Sequence, residues 1–189
     1  SSKTFSLRTV IVKPLLVLAG GFGTRLRSIV SDVPKPLAPV SGRPFISYLV
    51  NHWVKQGVKE FVFLLHYDAH KFEKVFRVMS RDPKFKGISF KTVIEKVPLG
   101  TGGAILNAIH ELDISDSFLV ANADTWLGTG VQLLSKNHPC ALAAVYVPDS
   151  ERYGSLLIQD SQIISFQEKT TLVEGAYVNS GIYHLLPTI

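Results

Sequence analysis

The sequence predicts an α/β protein of the Rossmann-like, three-layer αβα type, with a mostly parallel sheet and a small antiparallel addition at its C-terminal end. Short apolar, β-branched segments alternate with amphipathic segments over residues 15–147. This alternation is typical of a parallel sheet covered by helices on both faces. After Tyr153 the pattern changes to strand-like segments separated by short polar turns, which favours an antiparallel addition.

Each element of this architecture rests on a local pattern. Apolar runs predict buried strands at Leu15–Ala19, Phe61–His66, Phe90–Glu95, Phe118–Ala123 and Ala141–Val147. Apolar residues at helical spacing predict helices at Pro44–Gln56, Ala69–Met79 and Gly103–Leu112. The later strands are predicted at Gly154–Gln159, Ile163–Glu168 and Tyr177–Leu185. Pro44 suits the first turn of its helix, and Gly57 suits the position just beyond the end.

The composition is that of a globular protein. Hydrophobic residues make up 46% of the chain and charged residues 19%, which excludes an intrinsically disordered chain. No charge-free apolar run approaches the ~18 residues that indicate a membrane span. Lys3 and Arg8 precede an apolar stretch as in an export signal, but Lys13 and Pro14 interrupt it, so we expect a short tail before the first strand. Because Cys140 is the only cysteine, no intrachain disulfide can form, and a cytoplasmic location is expected.

The net charge of +5 favours anionic partners, either nucleic acid or phosphorylated small molecules. The basic residues are dispersed, apart from a loose group from Lys71 to Lys91 that alternates with apolar residues at helical spacing. That alternation favours a solvated helix face over a nucleic-acid-binding patch. We therefore expect phosphorylated small molecules as partners, with no nucleic acid and no membrane. The sequence leaves open whether the chain forms a homo-oligomer.

A glycine-rich loop follows the first predicted strand, at the sheet edge where α/β proteins bind their ligands. Its glycines allow the backbone N–H groups to approach an anion, while a hydroxyl and a guanidinium add donors suited to phosphate. The loop matches neither the phosphate-binding pattern of P-loop proteins nor the G-x-G-x-x-G of dinucleotide folds. A simple turn that needs small residues is the alternative. The candidate nucleotide-binding residues are Leu18, Ala19, Gly20, Gly21, Gly23, Thr24 and Arg25.

A proline-rich segment, Pro34-Lys35-Pro36-Leu37-Ala38-Pro39, follows, and its Lys35 lies ten residues beyond Arg25. Its prolines stiffen the backbone and are expected to exclude helix, which would hold Lys35 in an extended segment. A cation restrained in this way loses less entropy when a phosphate binds. Lys35 is therefore a second candidate phosphate ligand.

These two motifs together, GGFGTRL followed by PKPLAPV, resemble the signature of the sugar nucleotidyltransferases. The resemblance extends from about Leu15 to the end of the chain. It implies that the glycine loop and Arg25 hold a nucleoside triphosphate. It also implies that Lys35 neutralises charge at the phosphates that undergo substitution. A Rossmann-type oxidoreductase is a more distant alternative.

Two further segments follow predicted strands. The glycines of Glu95–Ala104 allow close approach to a ligand before a helix, and by resemblance this PLGTGGA element contacts the nucleotide base through Glu95, Pro98, Gly100, Thr101 and Gly102. Asp124 ends another strand, where a single carboxylate with phosphate oxygens and water suits Mg²⁺. The resemblance assigns the same metal role to Asp124, although Ala123 stands where relatives have glycine.

The resemblance also implies a sugar site and a catalytic set. The candidate sugar-binding residues are Asn122, Tyr153, Gly154, Glu168, Lys169 and Asn179. The candidate catalytic residues are Arg25, Lys35, Asp124 and Lys169. Because the sequence contains no internal repeat, low-complexity tract or linker, we expect residues 1–189 to form a single nucleotidyltransferase domain. Relatives supply a second acidic metal ligand beyond the last strand, so either this domain is shortened at its C-terminal end or another group substitutes for that ligand.

The implied reaction is in-line attack of a sugar-phosphate oxygen on the α-phosphorus of a nucleoside triphosphate, with Mg²⁺ as cofactor. The motif sequences look closest to guanylyltransferases that use GTP and D-glycero-α-D-manno-heptose 1-phosphate. Mannose-1-phosphate guanylyltransferase and a muramate-type uridylyltransferase are the nearest alternatives. Ala123 and the shortened C-terminal end leave open a catalytically silent, nucleotide-sugar-binding regulatory relative.

Overall fold

The computed structural model describes residues 13–21, 33–150, 153–168 and 175–188. These ranges contain ten strands and four α-helices. In chain order they are β1 Leu15–Leu18, β2 Pro39–Val40, β3 Arg43–Pro44, α1 Phe45–Lys55, β4 Glu60–Leu65, α2 Ala69–Met79, β5 Ser89–Ile94, α3 Gly100–Leu112, β6 Phe118–Asn122, α4 Val131–Lys136, β7 Ala141–Val147, β8 Ser155–Gln159, β9 Gln162–Gln167 and β10 Ala176–Leu185. Among the helices of these ranges, none is both long enough and apolar enough to cross a membrane.

One mixed sheet forms the centre of the fold, with the strand order β5-β4-β1-β6-β10-β8-β9 and with β7 paired to β10. β1, β4, β5 and β6 pair in parallel. β7, β8, β9 and β10 pair antiparallel, and β10 also runs antiparallel to β6. The predicted α/β class with a mostly parallel half and an antiparallel C-terminal part is therefore confirmed.

The helices cover both faces of the parallel half. Leu15 and Val17 of β1 belong to the buried cluster that includes α1 and α2, whereas Leu16 belongs to the cluster that includes α3. All three side chains are fully buried, and burial of each contributes about 1.5–3 kcal/mol relative to an exposed position. Burial on both faces explains why β1 is uniformly apolar instead of alternating with polar residues.

Strand β10 connects the two halves of the sheet. It pairs with β6 from Ile182, which lies opposite Ala121, and its earlier residues pair with β8 at Tyr177 and Val178. A register irregularity separates these regions near Gly181, whose φ is +74°. Because β10 is antiparallel to β6, the residues before Ile182 extend past the carboxyl end of β6. The antiparallel part of the sheet therefore reaches the edge where the candidate ligand residues lie.

Helix α3 begins three residues earlier than the sequence predicts. It starts at Gly100 rather than at Gly103, and Gly100 has a φ of +71° that glycine adopts without a steric penalty. Ala104, Ile105 and Ala108 pack in the second buried cluster. This packing outweighs the low helix propensity of the glycines in the first turn.

The prolines around Lys35 do not exclude a helical turn. Lys35–Leu37 forms a single 3₁₀ turn, in which Leu37 N donates a hydrogen bond to Pro34 O at 2.7 Å. Pro36 is compatible because an N–H in the first turn of a helix has no intrahelical partner to lose. The prediction of an extended Lys35 is therefore wrong, although the residue is as restrained as expected.

Substitution Gly181→Ala tests the bend in β10. We expect the free energy of unfolding to fall by about 1–3 kcal/mol, because alanine is strained at this φ. In addition, its Cβ would lie 2.5 Å from Asn122 Nδ2. Urea unfolding followed by circular dichroism measures the change. Gly128→Ala is the control, since its Cβ would meet nothing within 4 Å. Equal stability of both variants and the unsubstituted chain would contradict this account of the bend.

Candidate active site

The carboxyl ends of the parallel strands are aligned at one edge of the sheet. Leu18, the last residue of β1, pairs with Leu64 of β4 and with Asn122 of β6. The ladder continues one residue further on each side, because Ala19 N donates to Leu64 O and Ala123 N donates to Leu18 O, both at 3.0 Å. The segments that follow β1 and β6 therefore leave the sheet side by side.

A cavity of about 420 Å³ opens at this edge, and it brings together residues from five separate parts of the sequence. Eleven of the predicted site residues line it: Leu18, Ala19, Gly20, Gly21, Lys35, Glu95, Pro98, Gly100, Thr101, Asn122 and Asp124. Gly102 lies in the first turn of α3 but is not among the lining residues. Four further residues, Pro36, Leu64, Ala104 and Ala123, line this first cavity and were not predicted as site residues.

Lys35 and Asp124 form an ion pair at the edge of the first cavity. Lys35 Nζ donates to Asp124 Oδ2 at 2.7 Å, although the two residues are 89 positions apart in the sequence. Each side chain is 45% exposed, so the pair contributes only about 0–1 kcal/mol to stability. The pair therefore places one cation and one anion within reach of a ligand, and neither residue contributes much to the stability of the fold.

The position of Lys35 is set by the packing of its neighbours. Pro36 and Leu37 are buried, which anchors the 3₁₀ turn against the core. The following residue, Ala38, accepts a hydrogen bond from Phe45 N at the start of α1. The main chain around Lys35 is thus fixed on both sides, while its side chain extends into the cavity edge.

Glu95 orders the loop between β5 and α3. Glu95 is only 8% exposed, and its Oε2 accepts a hydrogen bond from Leu99 N at 3.0 Å. A Cβ at Gly103 would lie 2.8 Å from the Leu99 Cβ, so glycine is needed where the loop meets the helix. Glu95 thus lines the first cavity, and its hydrogen bond to Leu99 N holds the adjacent loop in place.

A second cavity of about 270 Å³ lies beside the first, and Asn122 lines both. Of the other predicted sugar-binding residues, Tyr153 and Asn179 line this second cavity. The Asn179 side chain is held in place, because its Nδ2 donates to Tyr183 OH at 2.8 Å and its Oδ1 accepts from Gly181 N at 2.9 Å. The second cavity therefore has a fixed amide and a phenol on one wall.

Two predicted sugar-binding residues lie outside the lining of the second cavity. Gly154 approaches β9 closely, since a Cβ there would be 3.0 Å from Gln167 O. Glu168 follows Gln167 in the sequence and is exposed. Four other predicted residues, Gly23, Thr24, Arg25 and Lys169, lie outside the described residues.

Sequence reasoning missed most of the wall of the second cavity. The unpredicted lining residues are Thr125, Trp126, Leu127, Val145, Val147, Val178, Ser180, Gly181 and Tyr183. Trp126 had a usable signal, because it follows Asp124 by two positions at the same strand end. The valines had none, since they come from β7 and β10, and only the antiparallel pairing of these strands brings them together.

Comparisons with known proteins identify the family of the chain. The family described as "Nucleotidyl transferase" matches residues 15–189. A D-glycero-alpha-D-manno-heptose 1-phosphate guanylyltransferase of Campylobacter jejuni is 36% identical over 92% of this chain and 76% of the relative. A mannose-1-phosphate guanylyltransferase of Mycobacterium tuberculosis is 32% identical over 89% of this chain and 47% of the relative. The crystal structure of HddC from Yersinia pseudotuberculosis complexed with GMP-PN superposes with a TM-score of 0.78 at 34% identity, covering 93% of this chain and 77% of HddC.

The chain belongs to the nucleotidyl transferase family. The family match begins at Leu15, the first residue of β1, and therefore includes both cavities and the edge of the sheet on which they lie. The activity class is thus transfer of a nucleotidyl group. The family resemblance that GGFGTRL and PKPLAPV indicate is therefore confirmed.

Proposed function

We propose that the chain transfers a guanylyl group from GTP to D-glycero-α-D-manno-heptose 1-phosphate, giving the GDP-sugar and pyrophosphate. The observation that carries the proposal is the Lys35–Asp124 ion pair at the edge of the first cavity, beside Asn122, which both cavities share. A nucleotide in the first cavity and a sugar phosphate in the second would bring their phosphates together at this position. The two substrates then approach each other where a fixed cation and a carboxylate are available.

The proposed reaction is an in-line displacement at phosphorus. An oxygen of the sugar 1-phosphate attacks the α-phosphorus of GTP and forms a new P–O bond. The bond from that phosphorus to the bridging oxygen breaks, and pyrophosphate leaves with the electron pair. A phosphate monoester is already anionic near neutral pH, so the chain need not supply a nucleophile. Catalysis then depends on positioning and charge stabilisation.

Lys35 is the described residue best placed to stabilise this charge. Its ammonium group lies at the cavity edge on a restrained turn, so little freedom is lost when it transfers from Asp124 to a phosphate oxygen. By resemblance, Arg25 and Lys169 add two more cations, toward the triphosphate and the sugar phosphate respectively. We include both in the proposed catalytic set with Lys35 and Asp124.

Asp124 is the proposed ligand for Mg²⁺. Among the described residues no group of three or more His, Cys, Asp or Glu side chains forms a ready metal cage. A single half-exposed carboxylate at a phosphate site nevertheless fits Mg²⁺, which commonly uses one or two carboxylates together with substrate phosphates and water. When bound, the ion would neutralise phosphate charge and align the reacting groups.

The choice of guanine and heptose rests on the relatives. The heptose 1-phosphate guanylyltransferase is more similar to this chain and is covered to 76% of its length, against 47% for the mannose-1-phosphate enzyme. The wall made by Glu95, Pro98 and Thr101 is the proposed contact surface of the base. Mannose 1-phosphate is the second candidate acceptor, supported by the 32% identical relative.

A substrate matrix tests the proposed function. GTP, ATP, UTP, CTP and dTTP are combined with a panel of sugar 1-phosphates that includes the heptose, mannose, glucose and N-acetylmuramic acid derivatives, and pyrophosphate release is recorded. We expect the highest kcat/KM for GTP with D-glycero-α-D-manno-heptose 1-phosphate. Pyrophosphate release with another pair only would overturn the substrate assignment. Nucleotide binding without release in any combination would favour a silent regulatory protein.

Substitution Lys35→Ala tests the proposed role of the ion pair. Loss of a charged hydrogen bond worth ~1.5–3 kcal/mol should lower kcat about 10- to 150-fold at saturating GTP. Because the pair is half exposed, the free energy of unfolding should change by less than about 1 kcal/mol. Lys59→Ala is the control, since this exposed lysine precedes β4 at the opposite edge of the sheet. Turnover near that of the unsubstituted chain would count against the assignment of Lys35.

A further inference from the structure

Trp126 is a large aromatic residue with an unusual position. Its side chain is 54% exposed, whereas the other tryptophan of the chain, Trp53, is 1% exposed within the core. Trp126 follows Asp124 by two residues and lines the second cavity but not the first. An exposed indole at the wall of a cavity is a candidate contact for a ligand in that cavity.

The indole is held in place on one side. It stacks on the His52 imidazole of α1, with ring centroids 4.4 Å apart and an interplanar angle of 25°. His52 is itself fixed, because its Nε2 donates a hydrogen bond to Leu127 O at 2.7 Å. One face of Trp126 is therefore covered by His52, and the remaining exposed surface of the ring is available to the second cavity.

The other walls of the second cavity suit a ligand with apolar and polar surfaces. Leu127, Val145 and Val178 supply hydrocarbon, while Asn179 and Tyr183 supply an amide and a phenol in a fixed geometry. A pyranose has this mixed character, because its ring carbons expose C–H groups on a face while its hydroxyls point outward from the rim. The positively polarised C–H groups of such a face pack favourably on the electron-rich face of an indole.

We infer that Trp126 is a specificity-determining residue of the acceptor site, which packs against the ring of the sugar 1-phosphate, and that His52 is its positioning residue. The inference rests on the proposed function, because it assigns the second cavity to the sugar. It adds to the acceptor site an aromatic contact that the motifs do not contain.

The two tryptophans allow a direct binding measurement. Acrylamide should quench mainly Trp126, because Trp53 is buried. With a non-hydrolysable GTP analogue and Mg²⁺ present throughout, addition of D-glycero-α-D-manno-heptose 1-phosphate should lower the quenching constant at least about twofold. Inorganic phosphate should have no such effect. An unchanged quenching constant at a sugar concentration that saturates turnover overturns the inference.

Kinetics of variants give a second test. Trp126→Ala should raise KM for the sugar 1-phosphate about 5- to 30-fold and leave KM for GTP within about twofold. Trp126→Phe should recover part of the loss, since it keeps an aromatic face. Phe166→Ala is the matched control, because Phe166 is a 67% exposed aromatic residue that lines neither cavity. Equal acceptor KM values for the unsubstituted chain and Trp126→Ala overturn the inference.

The role of His52 is tested separately. His52→Phe preserves a stacking ring, whereas His52→Ala removes it, so we expect acceptor KM to rise in the alanine variant and to recover in the phenylalanine variant. Equal KM values in both variants contradict the positioning role.

Failure of the inference differs from failure of the proposed function. In the first case the unsubstituted chain releases pyrophosphate with GTP and D-glycero-α-D-manno-heptose 1-phosphate; in the second it does not.

Discussion

The parallel pairing of β1 with β4 on one side and with β6 on the other is the constraint on which the site depends. It fixes Leu18 opposite both Leu64 and Asn122, so the segments that follow these strands emerge at one edge. Burial of β1 on both faces makes any other register costly, because a shift by one residue would exchange the side chains packed under α1 and α3. The chemistry of the site therefore rests on a backbone arrangement specified by apolar residues.

The charged groups at this edge contribute little to the stability of the fold that presents them. The ion pair between Lys35 and Asp124 is half exposed, and an exposed pair of this kind is worth about 0–1 kcal/mol. Partners held so weakly can separate, as the proposed roles require, in which Lys35 binds a phosphate and Asp124 binds a divalent cation. What is fixed is the backbone, through the buried Pro36 and Leu37 on one side and the β6 ladder on the other. Nucleotidyl transfer between two bound substrates requires this combination, because a rigid backbone positions side chains that can exchange partners.

Much of the fold could be predicted because local and tertiary preferences agree. Ala69–Met79 and Ala141–Val147 have the predicted bounds, and the other predicted strands differ by one residue at each shifted end. Gly57 lies just beyond the end of α1 and has a φ of +100°, as the sequence indicates. The first cavity was also accessible to sequence reasoning, since its glycines, Lys35 and Asp124 lie within motifs that directly follow strands or the first loop.

The remaining features depend on contacts that no local pattern reports. The 3₁₀ turn at Lys35–Leu37 and the early start of α3 are stabilised by packing, against the local preferences of proline and glycine. The short helix α4 and the β2–β3 hairpin were not predicted. The hairpin had a recognisable signal, because Ser41 and Gly42 form its two-residue turn with φ values of +47° and +77°. The wall of the second cavity is least predictable, because it forms only after β7 and β10 pair.

The central claim is that the phosphates of two substrates meet beside Asp124, between the two cavities. Its most direct test is a crystal structure with a non-hydrolysable GTP analogue, D-glycero-α-D-manno-heptose 1-phosphate and Mn²⁺, in which anomalous scattering locates the metal. The account predicts the nucleotide in the first cavity, the sugar in the second, and Mn²⁺ bonded to the Asp124 carboxylate with Lys35 turned toward a phosphate. A sugar phosphate bound away from Asn122, or a metal bound away from Asp124, would contradict it.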